Sequence, residues 1–437
     1  MSENNTGGDR AFLVGLDLRS AHGALDVGAS LEELALLVDT AGIEVVGQTT
    51  QRLKHPDPAT YIGSGKVEEV RNWIMERDAN VVIFDDELSP RHQRELEKVF
   101  GESVRVVDRT TLILDIFAQH AHTKEGTLQV SLAQYDYLLP RLTRQWTHLA
   151  RQAGGGGGRG GVVGVGLRGP GEMQLETDRR EIRRKISTLK RELEGVRAHR
   201  QRHRAQRRRT GTPVVALVGY TNAGKSTLLN RLSGSDVFVA DQLFATLDPT
   251  TRRVELPGGR GVLFTDTVGF IQKLPHALIA AFRATLEEII DAEIILHVVD
   301  VTNPYASEHI EVVKSTLRDD LEIKAIPTVM IFNKIDDIST TQAIDHLEEL
   351  RALYPGATEI SARNGTGIDH LLLKVGNLLG SFQKSVILRL PYSEGALISR
   401  FHELGSIETV KQFADAVEIV GMISPEHLGP YLPYIKE

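Results

Sequence analysis

The chain has 437 residues, with 51 Lys or Arg against 58 Asp or Glu and a net charge of −7 at pH 7, so it spans two to four domains and has no general basic character for nucleic acid. It has no cysteine, which excludes a disulfide framework and any Cys-based metal site. The polar residues 1–10 lack the apolar core of a signal peptide, and apolar runs such as Ile294-Ile295-Leu296-His297-Val298-Val299 are too short for a membrane span, so a cytoplasmic protein is expected.

Residues 11–18 read as a strand. Ser30-Leu31-Glu32-Glu33 opens a capped helix that runs to Thr40, and Gly42 stops it. Residues 43–46 form a second strand, 65–77 a helix, 80–84 a strand, 89–100 a helix and 104–107 a fourth strand. Strands alternating with helices of this length predict a parallel sheet, so residues 1–125 are a small N-terminal α/β domain. Within it, Tyr61-Ile62-Gly63-Ser64-Gly65-Lys66 precedes a helix. Glycines at a helix N-terminus suit an anion, but the spacing of a full phosphate loop is missing. An anion or RNA contact, or plain turn geometry, is favoured over a catalytic ATP site.

Residues 126–211 read as a helical arm. Residues 129–150 are helical with a kink expected at Pro140, and carry Arg141, Arg144, Trp146 and Arg151 toward their end. Residues 154–171 are mostly glycine, with Arg159 and Arg168, and cannot pack a core. Residues 172–209 resume as a long helix whose Ile182, Ile186, Leu189, Leu193 and Val196 follow a 4-3-4-3 seam. The two helices are expected to pair antiparallel around the glycine loop. From Arg179 to Arg209 there are 14 Lys or Arg against three Glu, which leaves the rest of the chain near −18. Such a concentrated element is an electrostatic footprint for phosphate backbone; its bland alternative is a solvated helix face.

Residues 212–382 carry a set of nucleotide motifs. Gly219-Tyr220-Thr221-Asn222-Ala223-Gly224-Lys225-Ser226 follows the apolar residues 214–218 and opens a helix from Thr227. This is the strand–loop–helix setting of a phosphate loop, in which Lys225 reaches the β/γ-phosphates and Ser226 ligates Mg²⁺. Asp266-Thr267-Val268-Gly269, Asn333-Lys334-Ile335-Asp336 and Ser361-Ala362-Arg363 follow in order. Asp266 and Asn333 both stand at the ends of apolar strands, where ligands bind in open α/β sheets. Asp336 can accept from two guanine N–H groups as a charge-assisted pair, which adenine does not offer, so the substrate is read as GTP. Resemblance to GTPases in general implies that Asn333 ties the phosphate loop to the base loop and that the Ala362 N–H meets the guanine oxygen. Between the first two motifs, the stretch from Phe244 to Thr251 holds Thr246, the candidate for a switch threonine meeting Mg²⁺ and the γ-phosphate; Thr250 and Thr251 compete for that role. Lys225, Thr246 and Gly269 are the candidates for the hydrolytic step, and Ser226, Thr246 and Asp266 for the metal. Residues 383–437 read as strand (386–390), helix (395–404), strand (410–420) and helix (425–434), a small C-terminal α/β module with no identifiable chemistry. The predicted fold class is therefore α/β: a P-loop GTPase domain with a mostly parallel sheet, an N-terminal parallel α/β domain, a helical-hairpin arm and the C-terminal module.

Three stretches outside the nucleotide motifs are distinctive: Asp57-Pro58-Ala59-Thr60-Tyr61-Ile62-Gly63-Ser64-Gly65-Lys66, Val107-Asp108-Arg109-Thr110, and Arg168-Gly169-Pro170-Gly171-Glu172 with Gln174-Leu175-Glu176. Together with the phosphate loop and Thr227, Phe244-Ala245-Thr246-Leu247-Asp248 and Asp266-Thr267-Val268-Gly269-Phe270-Ile271, they resemble the HflX family of ribosome-associated GTPases. The resemblance implies binding to the large ribosomal subunit and its RNA near the peptidyl transferase centre, splitting or rescue of stalled ribosomes, especially under heat stress, and a monomer off the ribosome. The rival readings are an ATP-driven RNA-remodelling enzyme using the N-terminal domain and a passive assembly chaperone for the large subunit. Many GTPases place a water-orienting Gln after Asp-x-x-Gly, where this chain has Phe270. Slow unassisted hydrolysis is expected, unless Gln272 folds back to serve.

Overall fold

The computed structural model describes residues 8–18, 26–142, 170–210, 212–234, 243–244, 246–257, 259–274, 289–320, 323, 326–381, 384–423 and 428–436. Two compact units divide the chain. The first comprises Met1–Val196 with Gln242–Leu247 and Gln272–Phe282; the second holds the remainder.

In the first unit, β1 (Arg10–Leu18) has six consecutive buried residues, and all of β3 (Val81–Phe84) is buried. Continuous apolar runs of this kind belong to parallel strands covered on both faces. They pair with β2 (Glu44–Leu53) and β4 (Arg105–Asp108) in the order β2-β1-β3-β4, parallel throughout. Helices α1 (Val27–Thr40), α2 (Ser64–Glu76) and α3 (Pro90–Phe100) connect the strands. Phe12, Val70, Phe84 and Leu96 meet in one core. The strand β2 outruns the expected residues 43–46 by passing through Gln48-Thr49-Thr50-Gln51-Arg52. It lies at the sheet edge and pairs on one side only, so polar residues are tolerated there.

The next helix, α4 (Arg109–His120), was not legible in the sequence; Asp108 caps it by accepting from Thr111 N at 2.9 Å. The arm's first helix, α5 (Lys124–Leu138), begins earlier than residue 129 because Thr123 caps it, accepting from Gly126 N. At Pro140 the α-helical bonding gives way to a 3₁₀ turn, Leu139–Arg141, and the rest of the helix expected to residue 150 lies outside the described residues past Leu142. Arg141 is not an exposed arm charge. It is buried, donates to Leu88 O at 2.6 Å and to Tyr137 O at 3.1 Å, pairs with Glu87 at 3.2 Å, and its guanidinium lies 3.4 Å from the Tyr137 ring centroid. Arg144, Trp146, Arg151 and the glycine stretch through Arg168 lie outside the described residues. The second arm helix is α6 (Pro170–Thr210). Its Ile182 and Ile186 pack with Leu132, Tyr135, Leu138, Leu139 and Leu142, and Leu193 is also buried.

The second unit centres on six strands: β5 (Val214–Gly219), β6 (Thr250–Glu255), β7 (Gly261–Asp266), β8 (Ile294–Asp300), β9 (Thr328–Asn333) and β10 (Thr358–Glu359). Their order is β10-β9-β8-β5-β7-β6, parallel except for the antiparallel β6–β7 pair. The helices are α7 (Lys225–Ser233), α8 (Ala306–Ser315), α9 (Thr341–Leu353) and α10 (Ile368–Ser381). A last sheet joins β11 (Lys384–Pro391), β12 (Ser406–Gln412) and β13 (Ala416–Ile423) antiparallel in the order β11-β13-β12, with α11 (Gly395–Leu404) between β11 and β12. The expected single strand over 410–420 is thus two strands, reversed through Phe413, whose N–H donates to Ala416 O at 2.8 Å. The end of the chain is a 3₁₀ helix, Gly429–Tyr434, where an α-helix was expected; residues 424–427 lie outside the described set. Among the described residues no helix is long and apolar enough to cross a membrane.

Candidate nucleotide site

The second unit's parallel strands carry the motifs at their C-terminal ends. β5 ends at Gly219 and leads into the loop before α7; β7 ends at Asp266 and β9 at Asn333. The loop reverses through Asn222 (φ 58°) and Gly224 (φ 91°). Gly224 is required twice over: its conformation is left-handed, and an added Cβ would fall 2.3 Å from Asn333 Nδ2. That amide donates to Ala223 O at 2.9 Å, and Asn333 Oδ1 accepts from Ala362 N at 3.0 Å. One buried side chain therefore links the phosphate-loop motif to the Ser361-Ala362-Arg363 loop. Arg231 of α7 adds a second link, donating to the carbonyls of Ala362, at 3.2 Å, and Arg363. Ser361 Oγ accepts from Asn364 N at 3.0 Å and closes that loop on itself.

Lys225 begins α7. Its Nζ donates to Gly219 O at 3.1 Å and Tyr220 O at 2.8 Å. Burial lowers its pKa to about 8, against the opposing pull of the Asp266 carboxylate. Ser226 Oγ donates to Asp266 Oδ2 at 2.6 Å. These are hard oxygen donors in direct contact, and Mg²⁺ is commonly held by one or two protein oxygens completed by water and phosphate. The pair fits that ion; among the described residues no cluster of three or more His, Asp or Glu side chains offers a fuller cage. Thr267 and Thr227 flank the pair, and Thr267 Oγ1 donates to Leu217 O at 2.7 Å. Past Asp266 the chain is tied back to the phosphate loop: Thr221 N donates to Phe270 O at 2.7 Å and Phe270 N to Gly219 O at 3.1 Å. Gly269 lies within this strap, where a Cβ would come 2.9 Å from Thr221 Cα and 3.1 Å from Lys225 Nζ.

Lys334 adopts φ 66°, and its ammonium pairs with Asp300 at 2.6 Å. Asp336 follows in an exposed 3₁₀ turn. The second unit thus brings together residues 219–227, Asp266 to Gly269, Asn333 to Asp336 and Ser361 to Arg363. Phe244 and Thr246 fall in the first unit. Thr250 and Thr251 are strand residues of β6, opposite Asp266 and Thr265, and Thr251 Oγ1 lies 3.0 Å from Thr265 Oγ1.

Sequence reasoning missed three members of this neighbourhood. Asp300 ends β8 as Asp266 ends β7, so the same strand-end logic could have found it. Arg231 gives no sequence signal. His309 of α8 stacks face to face on Tyr220, with centroids 3.6 Å apart and planes at 4°. Burial brings the His309 pKa down to about 4, partly offset by Asp300. In the first unit, the Asp57 to Lys66 loop is tied down by bonds within itself and to its surroundings, Gly63 N donating to Gln51 Oε1 at 2.9 Å. Asp57 Oδ1 accepts from Ala59 N and Thr60 N at 2.8 and 3.0 Å, which lowers its pKa, and Lys66 pairs with Glu69 at 2.8 Å.

Three family models match consecutive parts of the chain: a GTP-binding GTPase N-terminal region over residues 28–118, a GTP-binding GTPase middle region over 120–207 and a 50S ribosome-binding GTPase over 214–334. The chain is 45% identical over 379 residues to a protein called GTPase HflX from Escherichia coli K12, covering 86% of this chain and 85% of that one. It is 51% identical over 307 residues to the GTPase HflX of Alkalihalophilus pseudofirmus, covering 70% of each. Among solved structures it is similar to a GTP-binding protein from Sulfolobus solfataricus in complex with GDP, at 24% identity, 85% of this chain, 98% of that chain and a TM-score of 0.41.

Proposed function

We propose, for a chain that belongs to the HflX family of GTPases, that it uses GTP to bind the large ribosomal subunit and to split or rescue stalled ribosomes. Family membership makes it a GTP-binding GTPase of a 50S ribosome-binding group. The observation that carries the finer reading is the continuity of the match: the N-terminal, middle and GTPase regions each fit a model of their own, in register along one chain.

In this reading GTP lies over the loop from Gly219 to Thr227, its guanine held by Asp336 and its oxygen met by Ala362 N–H. Asn333 holds the two loops in register through its paired bonds to Ala223 and Ala362. Lys225, which now donates to two loop carbonyls, would turn to the β/γ-phosphates, whose charge offsets the cost of its burial. Mg²⁺, when bound, would neutralise phosphate charge, held by Ser226 and Asp266 and, in the GTP state, by Thr246. The Gly269 N–H would meet the γ-phosphate. Phe270 cannot polarise water, so a group supplied on the ribosome completes hydrolysis. The basic second arm helix, with the glycine loop before it, would supply phosphate contacts to ribosomal RNA.

The test is sedimentation of intact ribosomes mixed with the protein and a non-hydrolysable GTP analogue. Separation into subunits is expected with the analogue and not with GDP. Binding to free large subunits with intact ribosomes left whole would favour passive assembly chaperoning instead.

A further inference from the structure

Asp300 ends β8 opposite Asn333, the last residue of β9, and both belong to the second unit. The register sets Asp300 beside the turn that follows β9 and contains Asp336. That turn begins in left-handed backbone, Lys334 at φ 66°. Such a conformation is unfavourable for a residue with a Cβ, and it persists where the surroundings enforce it. Lys334 Nζ pairs with Asp300 Oδ2 at 2.6 Å, Lys334 O accepts from Asp337 N at 3.1 Å, and Ile335 N donates to Ile360 O at 3.4 Å. Asp336 lies inside the turn that the 3.1 Å bond closes, so the backbone of Lys334 sets where the Asp336 carboxylate points.

Asp300 is itself aimed. Its Oδ1 accepts from Thr302 N at 3.0 Å and from Thr302 Oγ1 at 2.6 Å, which turns Oδ2 toward Lys334. A carboxylate that bonds the backbone two residues on fixes its own side chain. The side chains of Asp300 and Lys334 are 17% and 29% exposed, so water screens this pair less than one on the open surface. The residue before Lys334 is held in a different way: Asn333 spends its amide on Ala223 O and Ala362 N. The run from Asn333 to Asp336 therefore has two anchors. Asn333 ties it to the phosphate loop, and Asp300 fixes the turn that carries Asp336.

We propose that Asp300 is a positioning residue for guanine recognition: through Lys334 it holds the turn that presents Asp336 to the ring N–H and the exocyclic amine of the base. Two bonds to one planar edge need a carboxylate held at a fixed angle, and a base with only one of the two donors needs less. Loosening the turn therefore weakens guanine more than a base without the amine. The proposal rests on the reading of Asp336 as the guanine acceptor and on no ribosomal role.

The test titrates the full-length protein with fluorescent GDP, and with inosine diphosphate as competitor, whose base keeps the ring N–H and lacks the exocyclic amine. Asp300→Asn keeps an acceptor for Thr302 and loses the charge that holds Lys334. It should lower GDP affinity at least fivefold and narrow the preference for GDP over inosine diphosphate at least threefold; a merely structural role would weaken both nucleotides alike. Lys334→Met should act in the same way, and the Asp300→Asn/Lys334→Met double variant should fall no further than Lys334→Met alone. Should Asp300→Asn fail to fold, judged by its melting curve, Thr302→Val carries the test, with a smaller loss and the same narrowing. Asp336→Asn is measured beside them. No gain of xanthosine diphosphate binding there would remove the guanine reading and this proposal with it. That gain together with an unchanged preference in the folded Asp300 or Thr302 variant, or with losses that multiply in the double variant, would overturn this proposal alone.

Discussion

Asn333→Ala probes the joint on which the nucleotide site depends. Asn333 is 2% exposed, and its neighbours Ala223 and Ala362 are 1% and 3% exposed. Truncation removes the 2.9 Å bond to Ala223 O and the 3.0 Å bond from Ala362 N, stranding one buried acceptor and one buried donor. Each stranded group costs about 1–3 kcal/mol, so the loss is about 2–6 kcal/mol, divided between the stability of the unit and the hold on nucleotide. If half falls on binding, GDP affinity drops by roughly fivefold to more than a hundredfold, at about 1.4 kcal/mol per factor of ten. Fluorescent GDP titration measures one share and thermal melting the other. Asn333→Asp should be no better: it keeps an acceptor for Ala362 N but sets a buried carboxylate against the Ala223 carbonyl. Gly224→Ala should act from the other side, since its Cβ would meet the same amide at 2.3 Å. An Asn333→Ala protein that binds GDP within threefold of normal and melts at the normal temperature would refute the reasoning.

Asp336→Asn is expected to lose GTP and gain xanthosine triphosphate, because the amide offers a donor where the carboxylate accepted two N–H bonds; retained GTP affinity would disprove the guanine assignment. Thr246→Ala should leave GDP binding nearly unchanged and impair GTP-dependent ribosome splitting, whereas equal loss of both nucleotides would point to a folding defect. With Phe270 in place of a glutamine, turnover by the protein alone should be slow and should rise at least roughly tenfold with purified large subunits; fast turnover indifferent to ribosomes would count against this. Lys225 titrates near 8 when folded and near 10.5 in its ordinary state, so the burial penalty on its ammonium is fully present below about 8. Stability without nucleotide should then rise between about pH 8 and 10.5, and Lys225→Met should flatten that part of the melting profile.

The motifs of the candidate nucleotide site were readable because each is local. Each motif is a short run at the end of an apolar strand, and strand, glycine and motif announce one another in sequence. Likewise β1, β3 and β4 were visible as short apolar runs between capped helices. What escaped the sequence depends on partners far away. The edge strand β2 is polar because only one of its sides is paired. The β12–β13 reversal at Phe413 carries neither Gly nor Pro, so two strands looked like one. Arg141 looked like a surface charge, yet Leu88 and Glu87, more than 50 residues earlier, draw it into the core. The Lys273–Asp85 pair spans 188 residues, and no local pattern encodes it.

The stack of Tyr220 on His309 bears on the conditions the phosphate loop can withstand. Two neutral rings lie parallel at 3.6 Å, and the imidazole takes up a proton only near pH 4. Across the whole range in which an unburied histidine would gain or lose its charge, this one stays neutral. The aromatic support under Tyr220 therefore keeps its neutral character as the medium acidifies through that range.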